Sequence, residues 1–209
     1  MAKERLKSPR ARLFVALDLP DHVRTRLVEW QHEALGDPAL RAIAPDALHV
    51  TLCFLAYQPE KDIERLSRLL REIEPRSVTM RLEREPIAGP RGRRPRLFAV
   101  DAPSDEAVAL QAGLSDRLEA ERFYKPEKRP FWPHVTVARV KLEKRTASER
   151  RGRRRGRPAL VERAPTALPE ELLGPFAAPR ITLYRSFLRP AGAEYVPLAA
   201  VDLTSDPGG

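Results

Sequence analysis

Two short phrases hold the residues best suited to chemistry: His49-Val50-Thr51-Leu52 and His134-Val135-Thr136-Val137, each inside an apolar run. Side chains alternate between the faces of a β-strand, so each phrase sets an imidazole and a hydroxyl on one surface and two aliphatic residues on the other. With an ordinary pKa of about 6.5, histidine can accept or donate a proton near neutrality. A pair can therefore divide the work, one activating water while the other protonates a leaving oxygen. The threonine hydroxyls can donate to non-bridging phosphoryl oxygens, and a nearby arginine can neutralise charge through a forked contact. Phosphoester cleavage without a metal fits these parts.

Competing uses of the same residues fare worse. Two histidines with no Asp, Glu or Cys at ligand spacing make a poor zinc site. The chain has no Gly-x-Ser-x-Gly turn for a serine hydrolase, no Gly-x-x-x-x-Gly-Lys loop and no Gly-x-Gly-x-x-Gly turn. No cofactor is implied. His22 and His32 fall on the first expected helix, ten residues apart, and are expected at the solvated surface.

Both phrases must be carried by a scaffold, and the scaffold is written twice. Residues 12–20, RLFVALDLP, read as a strand stopped by Pro20, followed by a helix over 20–35 with Val23, Leu27, Trp30 and Ala34 on one stripe. Gly36 stands where a C-terminal cap belongs. After the His49 strand, a second helix is expected over residues 59–74, with Ile63, Leu66, Leu70 and Ile73 inward, and then an alternating strand over 77–83. The order restarts at Arg96: the triplet Arg-Leu-Phe at 12–14 returns 84 residues later. Ser104 is placed to cap a helix bearing Ala107, Leu110, Leu114 and Leu118. His134 follows His49 by 85 residues, and ITLYRSFLRPAG from Ile181 follows VTMRLEREPIAG from Val78 by 103. The jump in offset locates about 18 extra residues between Val140 and Arg180, in a tract that includes ERRGRRRGR at 149–157. A short helix is expected over 169–173 and a last strand over 195–203.

This duplication implies an α+β fold of two pseudo-symmetric lobes, residues 12–89 and 96–203 of a single domain spanning 1–209, each a small sheet with helices on its outer face. Residues 143–165 are expected to be a basic loop insertion and 204–209 a frayed tail. Corresponding strands would meet near the axis, so two histidines and two threonines converge on one cleft.

Composition bounds the setting. A length of 209 residues suffices to bury a sizeable core. The single cysteine, Cys53, rules out an internal disulfide framework and reads as a buried apolar residue. The charged start MAKERLKSPRAR lacks the apolar core of a signal peptide, and no later run approaches the roughly 20 apolar residues of a membrane span. A soluble, cytoplasmic monomer with no membrane partner is expected. A net charge of +9 and a pI near 10.2 favour polyanions, RNA first among them.

The paired HVTL and HVTV, with RLFVALDLP, LHVTLCFL, PFWPHVTVAR and TLYRSFL around them, resemble the two His-x-Thr-x motifs and flanking strands of the two-histidine (2H) phosphoesterase superfamily. Within it the chain is similar to the bacterial and archaeal RNA 2′,3′-cyclic phosphodiesterases historically called 2′-5′ RNA ligases. The resemblance implies mainly antiparallel sheets around a central cleft, and opening of a terminal 2′,3′-cyclic phosphate of RNA, such as a tRNA fragment, to a 2′-phosphomonoester. It implies that His49 is the proton donor to the departing 3′ oxygen, that His134 is the proton acceptor from water, and that Thr51 and Thr136 hold the phosphate. Arg139 matches the arginine of the pattern His-x-Thr-x-x-Arg, although strict alternation sets it on the face opposite His134. The basic loop PRGRRPR, with Arg93 and Arg94, resembles a substrate-contacting loop, and among Phe131, Trp132 and Tyr184 the preferred ring for stacking on a base is Trp132. Two alternatives share these residues: a basic RNA- or nucleotide-binding module without turnover, and 2′-5′ ligation as the reverse reaction.

Overall fold

A computed structural model describes residues 9–74, 76–90, 94–143, 156–189 and 192–204. The elements in chain order are β1 (Arg10–Asp18), α1 (Asp21–Ala34), β2 (Leu40–Ala42), β3 (His49–Pro59), α2 (Ile63–Arg71), β4 (Thr79–Met80), β5 (Ile87–Gly89), β6 (Leu97–Asp101), α3 (Asp105–Ala120), β7 (His134–Val140), β8 (Phe176–Ala177), β9 (Arg180–Arg189) and β10 (Gly192–Asp202). The main sheet is antiparallel and runs β10-β9-β1-β3-β7-β6-β5, with β2 also on β7, while β4 and β8 pair separately. No helix among the described residues is long and apolar enough to cross a membrane.

The centre of this order explains the cleft. β3 and β7, the two His-x-Thr strands, touch through the single pair Val50↔Val135, whereas β1–β3 and β6–β7 are long ladders. The two halves of the main sheet thus meet along one narrow seam, and the histidine faces line the opening beside it. Each lobe draws on both halves of the chain. β9 and β10, from the second half, extend the first lobe beside β1, and β5, from the first half, extends the second lobe beside β6. The terminal strand of each repeat crosses over to the other lobe.

The helices lie where their apolar stripes demand. Val23, Leu27, Trp30 and Ala34 of α1, Leu66 and Leu70 of α2, and Ala107, Leu110, Leu114 and Leu118 of α3 are all buried in the core. Ser104 caps α3 by accepting the Ala107 N–H at 3.0 Å. The second helix is shorter than its periodicity suggests, because residues 60–62 form a 3-10 turn before Ile63. The strand expected over 77–83 keeps its alternation, with Val78, Met80 and Leu82 buried, yet pairs only at Thr79 and Met80. Beyond them the chain leaves the ladder and Glu83 N–H bonds the Asp101 carbonyl instead. The short helix expected over 169–173 is a 3-10 turn at Glu170–Leu172.

The arginine tract at 149–157 lies largely outside the described residues, as do Arg93 and the last residues of the tail. The stem of the insertion is described. Leu142 bridges Pro158, Glu143 N–H bonds the Arg157 carbonyl and Ala159 N–H bonds the Lys141 carbonyl. The returning chain is held by buried Asp37, whose carboxylate accepts the backbone N–H groups of Ala39, Glu162 and Arg163 at 2.8 Å each. Those bonds, first that from Arg163, outweigh burial and hold the Asp37 carboxyl below the usual range.

Candidate active site

The two histidine strands open onto one cavity of about 120 Å³ lined by Arg12, Phe14, Ile43, Ala47, His49, Thr51, Phe54, His134, Thr136, Arg139 and Tyr195. Five of the residues singled out from the sequence (His49, His134, Thr51, Thr136 and Arg139) are brought together here. A larger groove of about 600 Å³ adjoins it, sharing Thr51, Phe54 and His134 and continuing along Gln111, Asp116, Tyr124, Phe131 and Trp132.

Arg139 reaches the cavity because the strand is not regular. Ala138 pairs with Phe98 and Thr136 with Ala99, so Val137 has no partner in the β6–β7 ladder. This bulge inserts one residue, buries Val137 and Ala138 in succession, and turns Arg139 to the side of His134. Strict alternation is thereby overturned. β3 repeats the device: Thr51 pairs with Ala16 and Cys53 with Val15, leaving Leu52 extra and bringing Phe54 to the cavity. Phe54 occupies the place in the first repeat that Arg139 holds in the second. Cationic charge nevertheless arrives on that side, because Arg12 lies over the Phe54 ring at 4.5 Å and is held by the Ser186 hydroxyl at 2.9 Å. Arg12 was legible only as the start of a repeated strand.

The two imidazoles are held differently. His49 stacks on Phe14, with ring centroids 5.0 Å apart, and meets Tyr195 edge-on at 5.4 Å, while its Nε2 lies 3.0 Å from Thr51 Oγ1. Burial among these rings pushes its pKa down to about 4, opposed by the Asp18 carboxylate and a hydrogen bond to the Ala47 backbone, and helped by His134 and Arg139. His134 donates Nδ1–H to the Trp132 carbonyl at 2.7 Å, which leaves Nε2 as the nitrogen with a lone pair. Its pKa is also lowered by burial and by Arg139, with the Trp132 hydrogen bond and the Asp101 charge acting the other way.

The structure places the remaining candidates as follows. Trp132 is occupied by His134, its ring nearly parallel to the imidazole at 4.0 Å and 20°, with its N–H on Asp101; that face is closed to a base. Tyr184 does not line the cavity: it stacks on Phe14 at 5.2 Å and donates its hydroxyl to Asp18 at 2.7 Å, and burial raises its pKa. Phe131 packs against the core and borders the adjoining groove. Arg94 is committed to Glu143 and to the Pro158 carbonyl, bracing the insertion rather than the cavity. Its guanidinium is drawn there because the acidic partner sits at the stem. His22 and His32 are exposed, and Cys53 is buried with its thiol pKa pushed up to about 12 by desolvation. Among the described residues no three of His, Cys, Asp and Glu are grouped as metal ligands would be.

Residues 19–161 match the 2′-5′ RNA ligase superfamily. The chain is 32% identical over 142 residues to the RNA 2′,3′-cyclic phosphodiesterase of Thermus thermophilus, covering 62% of this chain and 69% of the relative. It is 29% identical over 194 residues to the RNA 2′,3′-cyclic phosphodiesterase of Escherichia coli, covering 92% and 97%. A crystal structure of a Thermus thermophilus protein, TT0787, superposes with a TM-score of 0.71 at 27% identity, over 92% of this chain and 97% of that one.

Proposed function

Because the chain belongs to the 2′-5′ RNA ligase superfamily, we propose that it hydrolyses the 2′,3′-cyclic phosphate end of RNA to a 2′-phosphomonoester by paired-histidine acid–base catalysis. The observation that carries this reading is the convergence of both His-x-Thr faces, with Arg12 and Arg139, on one cavity. Thr51, Thr136 and Arg139 hold the non-bridging oxygens of the phosphate. His134 Nε2 takes a proton from water, the water oxygen forms its bond to phosphorus, and the bond from phosphorus to the 3′ oxygen breaks. His49 delivers a proton to that oxygen, leaving a 3′-hydroxyl and a 2′-phosphate. The adjoining groove of about 600 Å³ is the place for the nucleoside, and the net charge of +9 favours the rest of the strand.

The reaction so drawn requires no metal. RNA with a 2′,3′-cyclic phosphate, incubated with the protein in EDTA and separated by phosphate position, is expected to give the 2′-phosphate at an undiminished rate. Binding of the oligonucleotide without release of product at high enzyme concentration would establish a binding module instead, and loss of turnover in EDTA would overturn the metal-free scheme.

The pH dependence follows from His49. With a pKa pushed down to about 4 by burial in the free protein, its acid form is scarce at pH 7. A phosphate anion beside the ring favours the imidazolium and raises that pKa. The alkaline limb of kcat, which reports proton loss from the substrate complex, is therefore expected at higher pH than the alkaline limb of kcat/KM. Coincident limbs in the two profiles would show that substrate does not recruit the proton.

A further inference from the structure

Each histidine stands in register opposite an aspartate on the neighbouring strand: Asp18 faces His49 across β1 and β3, and Asp101 faces His134 across β6 and β7. The surroundings of the two carboxylates differ. Asp18 is buried and receives Arg180 Nε at 2.5 Å, the Tyr184 hydroxyl at 2.7 Å and the Thr182 hydroxyl at 3.2 Å, so a guanidinium answers its charge. Asp101 accepts only the neutral indole N–H of Trp132, at 2.5 Å, among the described residues.

Trp132 in turn holds His134 twice. Its ring lies flat against the imidazole with centroids 4.0 Å apart, and its carbonyl takes the Nδ1 proton at 2.7 Å. The adjoining backbone is fastened to the same strand, because Ala102 N–H bonds the Pro133 carbonyl at 2.9 Å. One residue thus fixes the imidazole by its face and by its edge, and Asp101 fixes that residue.

We propose that Asp101 is a positioning residue which, by gripping Trp132, sets the ring orientation and Nδ1–H tautomer of His134, and whose charge, paired with no cation among the described residues, makes His134 rather than His49 the base. The inference rests on the reading of His134 as proton acceptor. The other charged or titratable groups that line the cavity and groove with His134 are Arg139 on its own strand, His49, Arg12 and Tyr195 across the cavity, and Asp116, Tyr124, Glu127 and Arg129 in the adjoining groove. Arg139 draws proton affinity away from His134, and Asp101 is the carboxylate that opposes it.

Three variants separate charge from grip. Asp101→Asn keeps an oxygen for the indole and removes the charge; Trp132→Phe keeps a ring and the backbone carbonyl but loses the N–H; Asp101→Leu removes charge and acceptor together. By NMR titration of the free protein, His134 in Asp101→Asn is expected to lose its proton at lower pH than in the parent, with a smaller change at His49. Asp101→Leu is expected to lower kcat about 10- to 100-fold with KM changed by less than about threefold, the scale on which partners that orient a reacting group act. Trp132→Phe is expected to fall between it and the parent. An unmoved His134 titration in Asp101→Asn, or kcat in Asp101→Leu within about twofold of the parent, overturns the proposal. The titration is read without substrate, so an absence of cyclic-phosphate turnover would count against the enzymatic reading while leaving the hold of Asp101 on His134 measurable. Should the leucine variant not fold, the titration of Asp101→Asn and the kcat of Trp132→Phe decide alone.

Discussion

Replacing His134 with alanine is expected to lower kcat by about 10²- to 10⁴-fold, a loss of about 3 to 5 kcal/mol of transition-state stabilisation. Like His49, which bonds the Ala47 backbone, His134 has one nitrogen tied to the main chain: its Nδ1–H is spent on the Trp132 carbonyl, so Nε2 is the acceptor. Its removal leaves water to attack unaided, whereas Thr51, Thr136, Arg12 and Arg139 still line the cavity. KM should consequently change little, because the phosphate keeps its donors. Added imidazole, small enough for the vacated space, is expected to restore part of the lost rate, which a general collapse of the site would not allow. Circular dichroism and a melting curve check that the loss is chemical: Trp132 loses its stacking partner but keeps its bond to Asp101. Undiminished turnover in this variant would sink the acid–base scheme.

The parts of this site that depend on side-chain alternation over two or three residues were legible in the sequence. His49 with Thr51, and His134 with Thr136, share a face whatever the rest of the strand does. The repeat offsets of 84 and 85 imply by themselves that the two faces meet, and the helices follow from apolar stripes that are indeed buried. Arg139 lay beyond that reach. Val137 and Ala138 are apolar and fit a regular strand as well as a bulged one, so the extra residue is decided by the ladder with β6 and not by β7 itself. The same holds for Leu52 and Phe54. The crossing of β9 to the first lobe and of β5 to the second was hidden for a related reason: a repeat fixes what each segment is, and pairing between repeats fixes where it goes.

Aromatic residues were the least legible. Trp132 and Tyr184 have the rings to stack on a base, but each has a closer claimant, the imidazole of His134 for one and Phe14 with Asp18 for the other. Both claims trace to the aspartates that end the two duplicated strands, RLFVALD and RLFAVD. Those aspartates sit opposite the histidines in both lobes, a regularity already written in the repeat, yet a carboxylate at a strand end has many ordinary uses and only the register shows what it faces.

The proposed division of roles between the histidines leads to the second large effect, which depends on the substrate. His49→Ala is expected to reduce kcat on an RNA 2′,3′-cyclic phosphate by about 10²- to 10⁴-fold, because the departing ribose oxygen is a poor leaving group that needs a proton as its bond breaks. On a phosphodiester with an activated aryl leaving group, such as p-nitrophenolate, that proton is not needed. The rate of His49→Ala should then lie within about tenfold of the parent, a statement about the acid alone. His134→Ala should remain impaired on both substrates, since either reaction needs the water activated. The environments of the two rings make the experiment discriminating: His49 is desolvated between Phe14 and Tyr195 with its Nε2 at Thr51, and His134 is anchored through Nδ1 with Asp101 behind it. If instead His134→Ala recovers on the activated ester and His49→Ala does not, the acid is His134, and the asymmetry of the two aspartates serves the opposite assignment. Equal losses on both substrates for both variants would mean that each histidine is needed whatever the leaving group, so that His49 does more than protonate the departing oxygen and the division into one acid and one base fails.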